Sequence, residues 1–386
     1  MDQQAGPVRY PSRVYQPFVL RPEILPRTDI LDELIRRAHH FRIIAVTAPP
    51  GSGKTQLMRL LANVLLAHTK PVHVITGWPQ DGIQGGWENY LISQTGYNGN
   101  YWLSYEAYLL LDEAQHTYWD QDFHERFFAK IQPESAPCVI LFASHGLEPI
   151  LGDLNSIQSF TPTGKGITGK GIGLHWDIPQ SPCRSVGLLF RRYEADNFIA
   201  RYHFARSSPA PTDEMKEGFF QCTNGNIGML TALLDILFYW RGFVNKPNSF
   251  QWPIVTQALF IDLSTLFQTM HDGLGIRTGL GLPHSSDLAT TWELLDLAVA
   301  SNGLYLDRLD PDSKQILSLI WRYGWLLPQN SKFGLRFVFA SPMHRWYFYH
   351  MLHPLWDSGQ EGLRHRVSQA LRAGQFTAHI TWKHYY

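Results

Sequence analysis

Cysteine is scarce in this chain: Cys138, Cys183 and Cys222 are its three thiols in 386 residues. Their spacing matches neither a zinc-binding pattern nor a disulfide framework. They are expected to be ordinary reduced residues in a cytosolic or nuclear compartment. Long apolar runs are also missing. The longest, Met229 to Trp240, is too short to span a bilayer and carries Asp235. No N-terminal stretch has the apolar region of a secretory signal, so no membrane partner is expected. Net charge is absent as well, with 33 Lys+Arg against 33 Asp+Glu. That balance argues against a protein that coats nucleic acid by bulk charge. The 17 histidines are scattered, and pairs such as His39-His40 lack the partners a metal site needs.

What is present reads as globular. Apolar residues make up 44% and charged residues 17% of a chain long enough for two or three domains. Charge is unevenly spread. Residues 311–386 carry nine basic side chains against three acidic ones, about +6, which leaves about −6 for the rest. We read this as an electrostatic match between domains in preference to a nucleic-acid surface. Pro7, Pro11, Pro17, Pro22 and Pro26 forbid a helix over residues 1–27 and suggest an extended arm. A helix is expected from Asp29 to His40, with Thr28 as its N-cap. Apolar runs at 42–47, 71–76, 108–111 and 138–143 alternate with helical segments at 57–65, 87–93 and 123–131. Continuous apolar strands separated by helices predict a parallel sheet buried on both faces. Residues 146–175 are Gly-rich and read as a long loop, and 186–190 would be a fifth strand. Beyond residue 193 the pattern turns helical, over 193–202, 213–222, 228–240, 257–270 and 287–300. A helix at 312–323, a strand at 335–339 and helices at 342–352 and 360–373 complete the expectation.

The first strand runs straight into Ala48-Pro49-Pro50-Gly51-Ser52-Gly53-Lys54-Thr55, and an apolar helix follows. Strand, Gly-rich turn and helix are the order of a phosphate-binding loop. Gly51 and Gly53 let backbone N–H groups curl inward toward a polyphosphate, and the helix N-terminus adds its positive dipole end. Pro50, Gly51, Ser52, Gly53, Lys54, Thr55 and Gln56 are the candidate nucleotide-binding residues. Lys54 would reach the β- and γ-phosphates, and the Thr55 hydroxyl would hold Mg²⁺.

Such a loop needs a second, acidic partner. Tyr108-Leu109-Leu110-Leu111 ends in Asp112-Glu113, at the carboxyl end of a buried strand, where α/β sheets bind ligands. Asp112 would steady Mg²⁺ through its water shell. Glu113 would polarise the water that attacks the γ-phosphate. Ser144, after the fourth strand, is the candidate sensor of the γ-phosphate. Gln115 could also orient water, but a place on the helix after the acidic pair is the preferred reading. Arg191 and Arg192 could supply an arginine finger, but surface charge is the preferred reading. The segment Gly164 to Gly171 imitates a second phosphate loop. It has Gly171 where a metal-binding hydroxyl belongs and no strand before it, so it reads as a basic loop.

Over roughly residues 20–355 this order of motifs resembles the AAA+/STAND branch of P-loop ATPases. Thr223-Asn224-Gly225-Asn226-Ile227-Gly228-Met229 resembles that group's Gly-Leu-Pro-type lid motif, with Ile227 in place of Pro. Ser341-Pro342-Met343-His344-Arg345 resembles its Met-His-Asp motif, with Arg345 in place of Asp. The resemblance implies that His344 touches the β-phosphate of bound ADP. A narrower likeness, carried by 109–115, 187–190 and 341–345, is to the ATPase module of fungal and oomycete Crinkler-type proteins. The clustered Asp/Glu/Lys pattern of the nuclease that such proteins often append is not seen in these residues.

The expected architecture is an α/β P-loop NTPase core, a parallel sheet flanked by helices, followed by a helical lid and a small winged-helix-like domain. The arm would occupy 1–27, the core 28–192, the lid 193–305, the winged unit 306–356, and a C-terminal helix with an aromatic tail 357–386. The expected function is an Mg-ATP-binding, ATP-hydrolysing switch that works with a protein partner or by self-association. The alternatives are a nucleotide-holding scaffold without turnover, a DNA-linked effector and, more weakly, a small-molecule kinase.

Overall fold

Four apolar runs become strands because each buries side chains on both faces. They are β1 (Ile43–Thr47), β2 (Val72–Ile75), β3 (Tyr108–Asp112) and β4 (Cys138–Ala143). In the computed structural model, residues 16–48, 51–79, 86–117, 119–131, 134, 136–143, 187–240, 251–260, 266–267, 288–322 and 325–349 are described. All four strands are parallel, in the order β1-β4-β3-β2. Every residue of β1, β3 and β4 is buried, while β2 is only half-buried at its centre. The register pairs Thr47 with Ala143 and Asp112 with Phe142, so the carboxyl ends of β1, β4 and β3 share one edge of the sheet.

Helices α1 (Thr28–Phe41), α2 (Lys54–Ala67), α3 (Gly86–Thr95), α4 (Gly99–Ser104) and α5 (Gln121–Arg126) belong to this first unit. An aromatic core of Trp78, Trp87, Trp102, Phe123, Phe127 and Phe128 packs with Leu109, Leu111, Val139 and Leu141 of the strands. Its buried indoles keep their polar ends satisfied. Trp78 Nε1 donates to Asp120 Oδ2 at 3.1 Å, and Trp102 Nε1 to Thr95 Oγ1 at 3.1 Å.

Three expectations for this unit need correction. Thr28 opens α1 instead of capping it. The boundary is Arg27, which sits in the left-handed region at φ 47° and whose carbonyl accepts from the Ile30 and Leu31 N–H groups. The helix expected at 123–131 starts earlier, where Asp120 caps the Phe123 N–H, and passes into a 3₁₀ turn at Phe128–Lys130. The tighter turn lets Phe123, Phe127 and Phe128 all enter the core. Helix α4 was not anticipated; Asn98 starts it by accepting from the Tyr101 N–H at 2.8 Å.

The second unit takes in residues 21–26, 48, 51–53 and the described residues from 187 onward. Its helices are α6 (Arg192–Ala205), α7 (Asp213–Thr223), α8 (Ile227–Asp235), α9 (Trp252–Phe260) and α10 (Leu288–Ala300). Helix α8 continues as a π-helical turn at Ile236–Trp240. Then come β5 (Leu304–Tyr305), α11 (Pro311–Arg322), β6 (Leu326–Ser331), β7 (Gly334–Phe339) and α12 (Pro342–Tyr347), with the three strands antiparallel in the order β5-β7-β6. Helix α9 begins five residues before the expected start at 257. Strand β6 was not anticipated, because Pro328 interrupts its pattern; β6 is an edge strand, where a missing N–H is tolerated.

The fifth strand expected at 186–190 is not formed over the described residues 187–190. There the Phe190 N–H donates to the Gly225 carbonyl at 2.8 Å. That contact sits on the α7–α8 corner. Asn224 (φ 49°) and Gly225 (φ 72°) both turn left-handed, and Asn226 caps α8 by accepting from the Met229 N–H. The arm over 1–15, the loop 146–175, the segment 164–171 and everything from 350 onward lie outside the described residues.

A Cβ on Gly225 would stand 2.2 Å from the Phe190 carbonyl oxygen, in a conformation that side chains resist. Gly225→Ala should therefore destabilise the protein by about 2 kcal/mol or more. A urea-unfolding midpoint equal to the parent's would reject this account of the corner.

Candidate functional site

The chain leaves β1 at Thr47 and re-enters helix at Lys54. Between them Gly51 (φ 74°) and Gly53 (φ 89°) adopt left-handed backbone, which gives the turn its curl. Pro50 lies outside the described residues. Ser52 is buried, and its hydroxyl oxygen has no hydrogen-bond partner. An orphaned buried hydroxyl is costly and marks a place where an incoming acceptor would be welcome. The first turn of any α-helix also carries N–H groups with no partner inside the helix, and in α2 that turn holds Lys54, Thr55 and Gln56.

The loop is gripped within the second unit by the start of α8. Gly228 lies so close that a Cβ there would be 2.6 Å from the Gly51 carbonyl oxygen. Ile227 reaches toward Gly53, its Cδ1 3.1 Å from where a Cβ would be. The motif at 223–229 thus meets the glycine loop with a residue whose main asset is having no side chain. Sequence reasoning missed this role of Gly228; the only signal was a second glycine three residues after Gly225.

Within the first unit, four of the candidate residues gather. Thr55 Oγ1 donates to Asp112 Oδ2 at 2.9 Å, joining the first turn of α2 to the end of β3. Lys54 is 5% exposed, and burial pushes its amine down to about 8, against the pull of the Glu113 and Asp112 carboxylates. Burial also raises the Asp112 carboxyl. The Thr55 hydrogen bond opposes that rise, the Glu113 charge adds to it, and Lys54 opposes it again. Glu113 has φ 50°, unusual for a residue with a side chain, and its N–H donates to Asp112 Oδ1 at 3.2 Å. Strained backbone of this kind clusters at functional sites. Gln115, expected on a helix, lies on a 3₁₀ turn at Ala114–Thr117, and its Nε2 donates to Glu113 Oε2 at 2.5 Å.

The donor set fits both groups that the motif implies. A lysine amine, a run of helix and loop N–H groups and an orphaned hydroxyl suit a polyphosphate. A hydroxyl and a carboxylate already in contact suit Mg²⁺, which takes few protein ligands and fills its shell with water and phosphate oxygens. Among the described residues no cluster of three His, Cys, Asp or Glu side chains could hold a metal by itself.

The remaining candidates stand elsewhere. Ser144 lies outside the described residues. His344, in the second unit, is buried in the first turn of α12, with Nδ1 2.8 Å from Ser341 Oγ, and burial pushes its pKa down to about 4. Arg192 is tied to Asp196 at 2.9 Å and paired with Glu217, and its guanidinium lies over Phe220. The Arg191 guanidinium approaches the Tyr193 hydroxyl at 3.4 Å.

Among solved structures, the chain is similar to the Walker-type ATPase PABY2304 of Pyrococcus abyssi. The two are 14% identical, the match covers 86% of this chain and 98% of the other, and the TM-score is 0.51. The fold is that of a Walker-type ATPase. RuvB of Thermotoga maritima, a Holliday junction branch migration motor, also matches, at 15% identity, 86% and 97% coverage and a TM-score of 0.41. No family model matches the chain, and no curated protein sequence does so either. Among the described residues, no helix of this Walker-type fold is long and apolar enough to cross a membrane.

The buried Lys54 amine has a consequence for stability. Its value in the folded protein, about 8, lies below the ordinary lysine value of 10.5. The unfolded chain therefore holds the extra proton across that window, and stability contributed through this group rises with pH from about 8 to 10.5. Below that window the cost of burying the charge is present in full. In ligand-free protein the parent should gain stability relative to Lys54→Met as pH is raised from 8 to 10. A difference in urea midpoint that stays flat across this range would show that the amine is not held as described.

Proposed function

We propose that the protein binds Mg-ATP and hydrolyses it, acting as a nucleotide-driven switch of the AAA+/STAND kind. The observation that carries this reading is the Thr55–Asp112 hydrogen bond at 2.9 Å, with the buried Lys54 amine and the Glu113 carboxylate beside it. Two residues 57 positions apart meet where a metal-bearing triphosphate site needs them. The Walker-type fold agrees with this assignment.

In this reading Lys54 and the N–H groups of the glycine loop and the first turn of α2 take the phosphates. Ser52 gains the partner it lacks. Thr55 and Asp112 hold Mg²⁺, which supplies charge neutralisation on the β- and γ-phosphates. Glu113 orients a water molecule and accepts its proton as the water oxygen bonds to the γ-phosphorus. The bond from that phosphorus to the bridging oxygen breaks, its electron pair stays with ADP, and inorganic phosphate is released. Catalysis is positioning and electrostatics, with no covalent intermediate. The finer features follow as part of the proposal. Helices α6 to α10 form the lid, expected over 193–305, and α11, β6, β7 and α12 form a winged-helix-like unit within 306–356. Loss of the γ-phosphate would be read through the lid, whose α8 start touches the glycine loop.

Thermal melting with Mg-ATP, Mg-ADP and Mg-GTP tests binding. Ligand at a hundred times its dissociation constant should add roughly 2.7 kcal/mol, and Lys54→Ala should abolish the gain. Glu113→Gln should keep the gain and lose turnover by roughly 10²–10⁴-fold in a phosphate-release assay. Equal turnover in Glu113→Gln and the parent rejects Glu113 as the base, and a parent that binds ATP without releasing phosphate identifies a nucleotide-holding scaffold. Gly228→Ala should melt below the parent, because its Cβ would stand 2.6 Å from the Gly51 carbonyl oxygen and the helix preference of alanine, about 1 kcal/mol over glycine, does not relieve a clash with backbone. It should also bind Mg-ATP more weakly, since its Cβ displaces the Gly51 carbonyl. Unchanged affinity would separate the α8 start from nucleotide binding.

A further inference from the structure

Gln115 makes a contact that the chemistry above leaves unused. Its side-chain amide donates from Nε2 to Glu113 Oε2 at 2.5 Å. Both residues sit on a turn with little freedom. Glu113 is fixed at φ 50°, its N–H donates to Asp112 Oδ1, and its carbonyl accepts from the His116 N–H at 2.9 Å. Ala114 and Thr117 are each 1% exposed. The Thr117 hydroxyl donates to the Ala114 carbonyl at 2.8 Å and lies 3.1 Å from His124 Nε2. Both side chains leave this pinned turn on three rotatable bonds each, and the hydrogen bond between them restrains the Glu113 carboxylate against a fixed backbone.

We propose that Gln115 is a positioning residue for ATP hydrolysis: its amide holds the Glu113 carboxylate in the orientation from which that carboxylate takes the proton of the attacking water. This rests on Glu113 acting as the base. The neighbours give the restraint its place. Glu113 follows Asp112 directly and its N–H donates to Asp112 Oδ1, so the carboxylate that Gln115 holds belongs to the residue next to the Thr55–Asp112 pair. The chemistry of the side chain also fits. A neutral amide leaves the carboxylate negative and one of its oxygens available, whereas a cation would neutralise the base and a second carboxylate would repel it. Loss of a near-attack geometry costs rate without costing substrate affinity.

The test compares steady-state Mg-ATP turnover and the ATP-induced melting shift in the full chain. The variants are Gln115→Ala, Gln115→Met, Glu113→Gln and the double variant Gln115→Ala/Glu113→Gln. Gln115→Met matters because it is uncharged and close in size: it keeps the volume and the turn while removing the donor, so a folding defect in the alanine variant leaves the question answerable. Expected are a kcat lower on the order of tenfold to a hundredfold in both Gln115 variants, with KM and the melting shift unchanged. No further loss should follow when Gln115→Ala is added to Glu113→Gln, because the two residues act as one unit. Parent-like kcat in the Gln115 variants, where Glu113→Gln is slow, overturns the positioning role and leaves the base in place. Additive losses in the double variant overturn it as well. Parent-like turnover in Glu113→Gln removes the base itself, and the proposal about Gln115 with it.

Discussion

A lysine amine buried beside two carboxylates is the constraint around which the first unit is arranged. Lys54 gives up most of its hydration at 5% exposure, and the charges of Glu113 and Asp112 act against that loss. Burying charge in this way is costly unless the partners are placed well. Placement comes from the sheet. Asp112 ends a fully buried strand flanked on both sides, and Thr55 reaches it from the first turn of a helix that starts within a few residues of β1. Such a cluster is poorly compensated by protein alone. The Lys54 amine is pushed toward neutrality and the Asp112 carboxyl is raised. Each of these costs falls if a metal-bearing polyanion is added, which is the electrostatic reason for reading the cluster as a nucleotide site.

How much of this was legible depended on whether the deciding interaction was local. The four strands were readable because a strand buried on both faces is apolar at every position, whatever its neighbours. Their parallel arrangement followed from the helices between them. The meeting of Thr55 and Asp112 was readable from two motifs that each end a buried strand. The features that escaped are set by contacts distant in sequence or by backbone states with no residue signature. Arg27, Glu113 and Asn224 carry positive φ without being glycine. The run at 187–190 is apolar enough for a strand, but Phe190 spends its N–H on the carbonyl of Gly225, 35 residues on. Strand β6 was hidden by Pro328, harmless at a sheet edge and fatal to the pattern. The Gln115–Glu113 contact was hidden because it depends on a 3₁₀ turn in place of the helix expected there.

The second unit has its own buried polar knot, and its logic differs. The Tyr202 hydroxyl donates to Asp235, and the Arg206 guanidinium lies over the Tyr202 ring, 3.3 Å from its centroid. Arg206 also approaches Asp235 at 3.7 Å and Glu23 at 3.8 Å, and Arg21 pairs with Glu23 at 3.3 Å. Glu23 is buried although it precedes α1 by several residues. The knot thus fastens the short segment 21–26 to α6 and α8, and Arg201 adds a hydrogen bond to the Ile24 carbonyl at 2.9 Å. Buried ion networks contribute little net stability but penalise any arrangement that leaves a member unpaired. Their effect here is to specify one seat for a segment whose own apolar content is small.

In the proposed reading, the two adjacent acids at the end of β3 divide a site into two tasks within one residue step. Asp112 has strand backbone and is held by the Thr55 hydroxyl, which suits a metal ligand that must stay still. At Glu113 the chain turns left-handed, which breaks the alternation that would have sent its side chain to the opposite face of the sheet. The carboxylate meets the Gln115 amide instead, at a conformational cost of about 1–2 kcal/mol. A glycine at this position would avoid that cost and would leave nothing to accept a proton. Arg27 and Asn224 meet the same cost at helix boundaries; at Glu113 it falls at the end of a buried strand, beside the acid that holds the Thr55 hydroxyl.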